Sequence, residues 1–465
     1  MAASRRRVPQ PPQHWSGSIS SAIKPVAGPV AGPVVGLAEA ARPLAEEDWA
    51  PAAAAPRLAF LLADLNTGGV QHAVIRIATA MATAGCRVTL LVCEPGGKLE
   101  AALPPSLRCV HLPKASKIAA RLSALRADPT AWRLLRRPLL SRRETQLLPS
   151  LVGLTDYLRR EPPDTLFSAA PALNVWAYLA RRLAGAATRL VVSERSHFSS
   201  GKPRKLQRKQ ILAPMMRHAY ARADQVVAVS HGVARDLVDN VGVAPEHITV
   251  LHNPTIGPDF ASRMAAPVDH PWFAKDGPPV LLSVGRLAGQ KDLPTLISAF
   301  AIARSKRELR LVLLGEKNAT AAGKGDIHSL IEGAGVTEDV ALLGYDPNPI
   351  RYMARADLFL LSSRFEGFPN VLLEAVAAGC PVVSTDCPSG PFELLDGGRY
   401  GRLVPVGDPE AMAAAILASL DEPHDKAALR ARAALFDFDR SIEAYKNVLL
   451  GLPQDDTYPA PEAWR

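Results

Sequence analysis

From Arg57 onward the chain alternates short, continuous apolar runs with longer segments whose apolar positions recur at helical spacing. In the first half the apolar runs are Leu58–Ala63, Arg87–Cys93, Leu107–Leu112, Thr165–Ser168, Leu190–Ser193, Gln225–Ser230 and Ile248–Leu251. Helical stretches such as Gln71–Ala84 and Ala172–Leu183 separate them. Runs that are apolar throughout, rather than at every second position, predict strands covered on both faces, as in a parallel sheet. A second series follows: Val280–Val284, Leu309–Leu314, Val340–Leu343, Leu358–Leu361, Pro381–Ser384 and Arg402–Val404. Its predicted helices include Pro294–Arg304, Pro349–Ala354, Asn370–Ala378 and Pro409–Ser419. His252-Asn253-Pro254 closes the first series, and the irregular stretch to Pro279 reads as a linker. The pattern predicts an α/β protein of two doubly wound, Rossmann-like domains, 57–268 and 269–440, with a cleft between them. Residues 1–56, rich in Pro, Ala, Gly and Ser, lack a hydrophobic period and are expected to be a disordered tail. A last helix near Ser441–Leu450 precedes a polar tail, which together make up 441–465.

A chain of 465 residues, 48% hydrophobic, is too long for one core and has enough apolar content for two. Pro25–Leu37 is weakly charged, but it is shorter than a membrane span and interrupted by proline and glycine. The same interruptions argue against a signal peptide. The five cysteines are odd in number, lack metal-type spacing, and read as reduced core thiols of a cytoplasmic protein. The formal charge of +9 suits nucleic acid, anionic membrane or phosphorylated substrate alike. Its distribution narrows the choice. Cations crowd into Lys114–Arg143 and Arg195–Arg222, mixed with Leu, Ile, Trp and Met. That mixture favours an anionic lipid surface over nucleic acid, with a solvated helix face as the alternative.

The densest chemistry lies where the Leu358–Leu361 strand meets a helix opening at Phe368-Pro369-Asn370. A helix N-terminus carries free N–H groups and partial positive charge, so it attracts anions. Glu366 and Glu374 bracket it, and carboxylates suit sugar or ribose hydroxyls. Glu374 sits between Leu372-Leu373 and Ala375-Val376-Ala377, so it is a buried charge in need of a partner or ligand. After the Val280–Val284 strand come Arg286 and Lys291, two cations able to neutralise a leaving diphosphate. Gly68 and Gly69 follow the first strand, where glycine lets a backbone approach a ligand closely; a plain turn is the alternative. No D-x-D pair ends a strand in the first domain, Asp455-Asp456 falls in the tail, and no Cys/His cluster is seen. Neither a metal nor a cofactor is expected.

Glu366 and Glu374 form an E-x7-E pattern, Val284-Gly285-Arg286-Leu287 with Gln290-Lys291 a GRL…QK pattern, and Thr67-Gly68-Gly69 a glycine loop. With these in order, the chain from Leu58 to Leu450 resembles family 4 of the retaining glycosyltransferases. The resemblance implies the GT-B fold, with the last helix crossing back to the first domain. It implies metal-independent transfer, with retention, of a hexose or N-acetylhexosamine from a UDP- or GDP-sugar. Glu374 would hold the ribose and Glu366 the donor sugar. The N–H groups around Phe368, Asn370 and Val371 would face phosphate and sugar, and Gly68 and Gly69 would lie beneath the donor. Val192 to His197 resembles the S-E-R segment of relatives that extend lipid-linked oligosaccharides, which places Glu194, Arg195 and His197 on the acceptor side. A polyprenyl-diphosphate-linked or other lipid-linked saccharide acceptor follows, used at the inner face of the cell membrane. Two departures stand out. Ser168-Ala169-Ala170-Pro171 holds no histidine where many relatives carry one, and Val70-Gln71-His72 replaces an acidic residue and arginine. An inactive, membrane-associated nucleotide-sugar-binding subunit and a sugar-nucleotide epimerase remain the alternatives.

Overall fold

The computed structural model describes residues 55–141, 145–200, 203–274, 277–315 and 327–453, except for the side chains of 203–210. The N-terminal tail to residue 54, Arg142, Arg143, Lys202, the side chains of Arg204, Lys205, Arg208 and Lys209, and Asp455-Asp456 lie outside the described residues. Seven strands form the first sheet: β1 (Arg57–Leu62), β2 (Arg87–Val92), β3 (Leu107–His111), β4 (Thr165–Ser168), β5 (Arg189–Glu194), β6 (Gln225–Ala228) and β7 (Ile248–Val250). Their order is β3-β2-β1-β4-β5-β6-β7. Six more form the second: β8 (Val280–Val284), β9 (Arg310–Leu314), β10 (Val340–Gly344), β11 (Leu358–Leu361), β12 (Val382–Thr385) and β13 (Arg402–Val404). That order is β10-β9-β8-β11-β12-β13. Every strand pair is parallel. Parallel neighbours cannot be joined by tight turns, so helices cross over between strands and cover both faces. This arrangement explains the unbroken apolar runs: Leu58, Ala59, Phe60, Leu61 and Leu62 are all buried, on alternating faces of one strand.

Strand order reverses between β1 and β4 in one sheet and between β8 and β11 in the other. Loops leaving the carboxyl ends of strands diverge at such points and open a crevice. The two reversals place the loops after β1, β8 and β11 around one cleft.

The helix Phe438–Leu450 returns to the first domain. Tyr445, Val448 and Leu449, spaced for one helical face, are buried there. Tyr445 meets Phe167 edge-on at 6.4 Å between ring centres, and its hydroxyl donates to the Leu251 carbonyl at 3.2 Å. Thr165 Oγ1 donates to the Leu449 carbonyl at 2.6 Å. Gly451 ends the helix in the left-handed region at φ 70°, which glycine adopts without strain.

The domains touch through backbone and short polar side chains. Ser230 Oγ donates to the Gly367 carbonyl at 2.8 Å, and His197 N–H to the Glu366 carbonyl at 3.0 Å. A Cβ on Gly367 would overlap the Arg195 carbonyl oxygen, so only glycine permits this crossing. No helix among the described residues is long and apolar enough to cross a membrane.

Candidate active site

The cleft has a volume of about 470 Å³. Ten of the residues singled out from the sequence line it: Gly68, Gly69, Arg195, Arg286, Lys291, Glu366, Phe368, Asn370, Val371 and Glu374. Glu194 and His197 do not.

The loops after β8 and β11 are zipped together. Gln290 Nε2 donates to the Phe365 carbonyl at 2.8 Å, Arg364 N–H to the Gln290 carbonyl at 2.8 Å, and Ser362 Oγ to the Lys291 carbonyl at 2.5 Å. The Arg364 guanidinium pairs with Asp292 at 2.7 Å. These bonds fix Lys291, whose Nζ lies 2.9 Å from Glu366 Oε1. The same oxygen accepts from Ser363 Oγ at 2.6 Å. Gly285, at φ 152°, makes the arrangement possible: a Cβ there would come within 2.7 Å of Lys291 Cε. Arg286 lines the cleft and has no carboxylate partner among the described residues. One cation is therefore held on an acid, and the other has no carboxylate partner among the described residues.

The helix Asn370–Ala378 opens into the cleft, and its first N–H groups have no acceptor within the helix. Its start is held from the other domain. The Arg195 guanidinium, between the rings of Phe167 and Tyr445 at 5.7 Å from each centre, donates to Asn253 Oδ1. Asn253 Nδ2 in turn donates to Asn370 Oδ1 at 2.8 Å. Arg195 thus acts as a strut. Phe368 packs its ring against His252 and Phe436, at 4.8 and 5.2 Å, and also lines the cleft. Gly68 is extended, at φ −160°, and a Cβ on Gly69 would meet nothing within 4 Å. The backbone conformation therefore does not demand glycine at either place, but a Cβ on Gly68 would overlap Gln71 Oε1, so that side chain would have to move.

Glu374 is only 7% exposed. Burial pushes its pKa up, opposed by the charges of Arg76 and Arg263. Arg76, Arg263 and Tyr345 also line the cleft, and no sequence motif marks them.

Glu194 requires a correction. It is fully buried inside the first domain, where Asn174 Nδ2 donates to Oε1 at 2.9 Å and the Tyr220 hydroxyl donates to the same oxygen. Burial pushes its pKa up to about 8. Alternation along β5 turns Glu194 into the helix layer, away from the cleft. His197 touches the second domain by its backbone N–H, which donates to the Glu366 carbonyl at 3.0 Å, without lining the cleft. Its imidazole Nδ1 faces Ser200 Oγ at 2.8 Å and the buried Asp236 at 3.4 Å. Away from the cleft, Glu100, Cys109 and His111 cluster around the edge strand β3, with Glu100 Oε1 and His111 Nε2 2.9 Å apart.

Two family models match. One, described as "Glycosyltransferase Family 4", covers residues 67–255, and the other, "Glycosyl transferases group 1", covers 278–422. The chain is 33% identical over 301 residues to an N-acetylgalactosaminyltransferase of Campylobacter jejuni that is named for a diphospho-undecaprenol-linked substrate. The match spans 62% of this chain and 76% of that protein. A GDP-mannose-dependent alpha-mannosyltransferase of Mycobacterium tuberculosis is 28% identical over 299 residues, which span 63% of this chain and 73% of its own length. Among solved structures, Anabaena HepE in complex with UDP and glucose superposes with a TM-score of 0.67 at 19% identity, covering 85% of this chain and 99% of that one. A second, WaaG, a glycosyltransferase involved in lipopolysaccharide biosynthesis, gives 0.59 at 19% identity over 85% of this chain and 100% of that one. The paired parallel-sheet domains, the cleft at their two reversals and these matches agree: the chain belongs to glycosyltransferase family 4 and has the GT-B fold.

Proposed function

We propose that the chain moves a hexose or N-acetylhexosamine from a UDP- or GDP-sugar to a lipid-linked saccharide, with retention and without a metal. One observation carries this reading: Arg286, Lys291, Glu366 and the start of the Asn370–Ala378 helix meet in one cleft. In the reaction the bond from the anomeric carbon to the diphosphate oxygen breaks, and charge grows on that oxygen. Arg286, Lys291 and the helix N–H groups stabilise it in place of a metal. As the diphosphate draws Lys291, Glu366 is freed to accept hydrogen bonds from the donor sugar. Glu374 accepts them from the ribose. The acceptor hydroxyl attacks on the face the diphosphate leaves, and its proton passes to the departing phosphate oxygen.

The lipid-linked acceptor is supported by the Campylobacter relative, named for such a substrate, and by the surface of the first domain. Ile118, Trp132 and Leu140 are 71%, 51% and 79% exposed on the helices Lys117–Ala127 and Trp132–Leu140. Lys117, Arg126, Arg133, Arg136 and Arg137 lie on the same helices, none with a carboxylate partner among the described residues. Bulky apolar tips beside unpaired cations fit the boundary of an anionic bilayer.

The test is incubation with a panel of UDP- and GDP-linked hexoses and N-acetylhexosamines plus polyprenyl-diphosphate-linked acceptors, in EDTA. The expected result is a lipid product one sugar heavier. Donor binding without donor cleavage or product across the whole panel would leave a binding protein instead.

A further inference from the structure

The helix Gly69–Thr83 carries His72 and Arg76, four positions apart and so on one face. Both line the cleft. Arg76 Nη2 lies 3.8 Å from Glu374 Oε1, across the boundary between the domains. Its Nη1 donates to the Thr255 carbonyl at 3.0 Å, which fixes the direction of the guanidinium. The charged groups facing Glu374 are Arg76 from this helix, Arg263 from the helix Phe260–Ala265, and Asp259 just before it. Burial first, and then the same two arginines, lower the pKa of His72, so a further proton in this corner is disfavoured.

The spacing matters. A buried carboxylate without a counter-charge takes up a proton, and the resulting acid offers one donor and fewer acceptor sites. A short, bidentate guanidinium would keep it charged but occupy both oxygens. At 3.8 Å, Arg76 supplies charge and leaves the lone pairs of Glu374 open to the cleft. We propose that Arg76 is a positioning residue for donor binding: it holds the Glu374 carboxylate charged and turned toward the ribose, and completes that grip only when the two domains are closed. The proposal rests on Glu374 being the ribose anchor.

Calorimetric binding of UDP and GDP between pH 5 and 8 tests it, using wild type, Arg76→Met, Arg76→Lys, Glu374→Ala, Glu374→Gln and Glu374→Gln/Arg76→Met. Wild-type affinity for the better nucleotide falls on the acid side as Glu374 protonates. With Arg76 removed, that limb moves to higher pH by about one unit, roughly a tenfold loss of affinity within the window. Arg76→Lys restores most of the shift, and in the Glu374→Gln background the Arg76→Met change moves no limb. A uniform loss of affinity with the limb unmoved assigns Arg76 a merely structural role and overturns the proposal, as does an Arg76→Met curve that overlays wild type. If Glu374→Ala binds nucleotide like wild type, the ribose reading itself fails. If Glu374→Ala loses binding while Arg76→Met leaves the limb in place, only the inference fails.

Discussion

The two sides of the cleft hold their charged residues in different ways. On the second-domain side, Lys291 lies on Glu366, Arg286 has no acid among the described residues, and Glu374 is buried at the cleft. Lys291 and Glu366 are fixed by backbone and short polar contacts, while Arg286 and Glu374 keep bonding capacity toward the cleft. On the first-domain side, Glu194, Arg195 and His197 are bonded chiefly to residues of the first domain, although Arg195 also lines the cleft. Glu194 is bonded to Asn174 and Tyr220, Arg195 to Asn253, and His197 faces Ser200 and Asp236. The second-domain groups keep charge and bonding capacity facing the cleft, while the first domain contributes Arg76 and His72 to its wall. A charged residue in a motif therefore says little about role until its partners are counted.

The largest effect should follow from emptying the second-domain side. With Glu374 proposed as the ribose anchor, Glu374→Ala should leave those hydroxyls unpaired, a loss of about 2–4 kcal/mol in transition-state binding. The helix keeps its apolar face, so the variant should fold. Wild-type turnover in the folded variant would erase the contrast. Arg286→Ala and Lys291→Ala should each slow turnover about a hundredfold, near 2.7 kcal/mol. Turnover by wild type should persist in EDTA, and its loss there with recovery on adding Mg²⁺ or Mn²⁺ would reject the metal-free clamp.

Glu194 sharpens the first-domain side. Its pKa is raised on folding, from an ordinary 4.5 to about 8, so the native state binds the extra proton. Stability should then fall as pH rises through that interval and level off above it. Glu194→Gln should flatten the profile, as read by urea unfolding at each pH, with little change in donor hydrolysis. A wild-type profile that rises with pH across this interval would contradict the assignment. The smallest effects belong to the outer face. Each cation there should add about 1 kcal/mol to binding of anionic vesicles, screened by salt. Replacing Arg133, Arg136 and Arg137 by Ser should release the protein at lower salt in sedimentation, whereas unchanged binding would return this face to plain solvation.

Much of the second domain was legible in the sequence. Val280–Val284, Leu358–Leu361 and Arg402–Val404 are strands with the predicted bounds, and Asn370–Ala378 is the predicted helix. Apolar runs bounded by glycine and proline carry that information directly. The helices Ser150–Arg160 and Lys426–Ala434 were not anticipated, although Leu151, Leu154 and Leu158, and Leu429 with Ala433, recur at helical spacing. In the candidate site, motif spacing named the residues on loops and at the helix start. It could not say which face of β5 Glu194 would take, since a strand buried on both faces shows no alternation to read. Arg76 carried no signal beyond its place four residues after His72, for its partner Glu374 lies 298 positions away in the other domain.

The contrast is tested most directly by donor hydrolysis without acceptor, followed by NMR for wild type, Glu374→Ala and the Arg133/Arg136/Arg137→Ser variant in the same buffer. The account predicts that hydrolysis is lost in the first variant and unchanged in the second. Hydrolysis that survives Glu374→Ala, or fails when only the outer cations are removed, would contradict it.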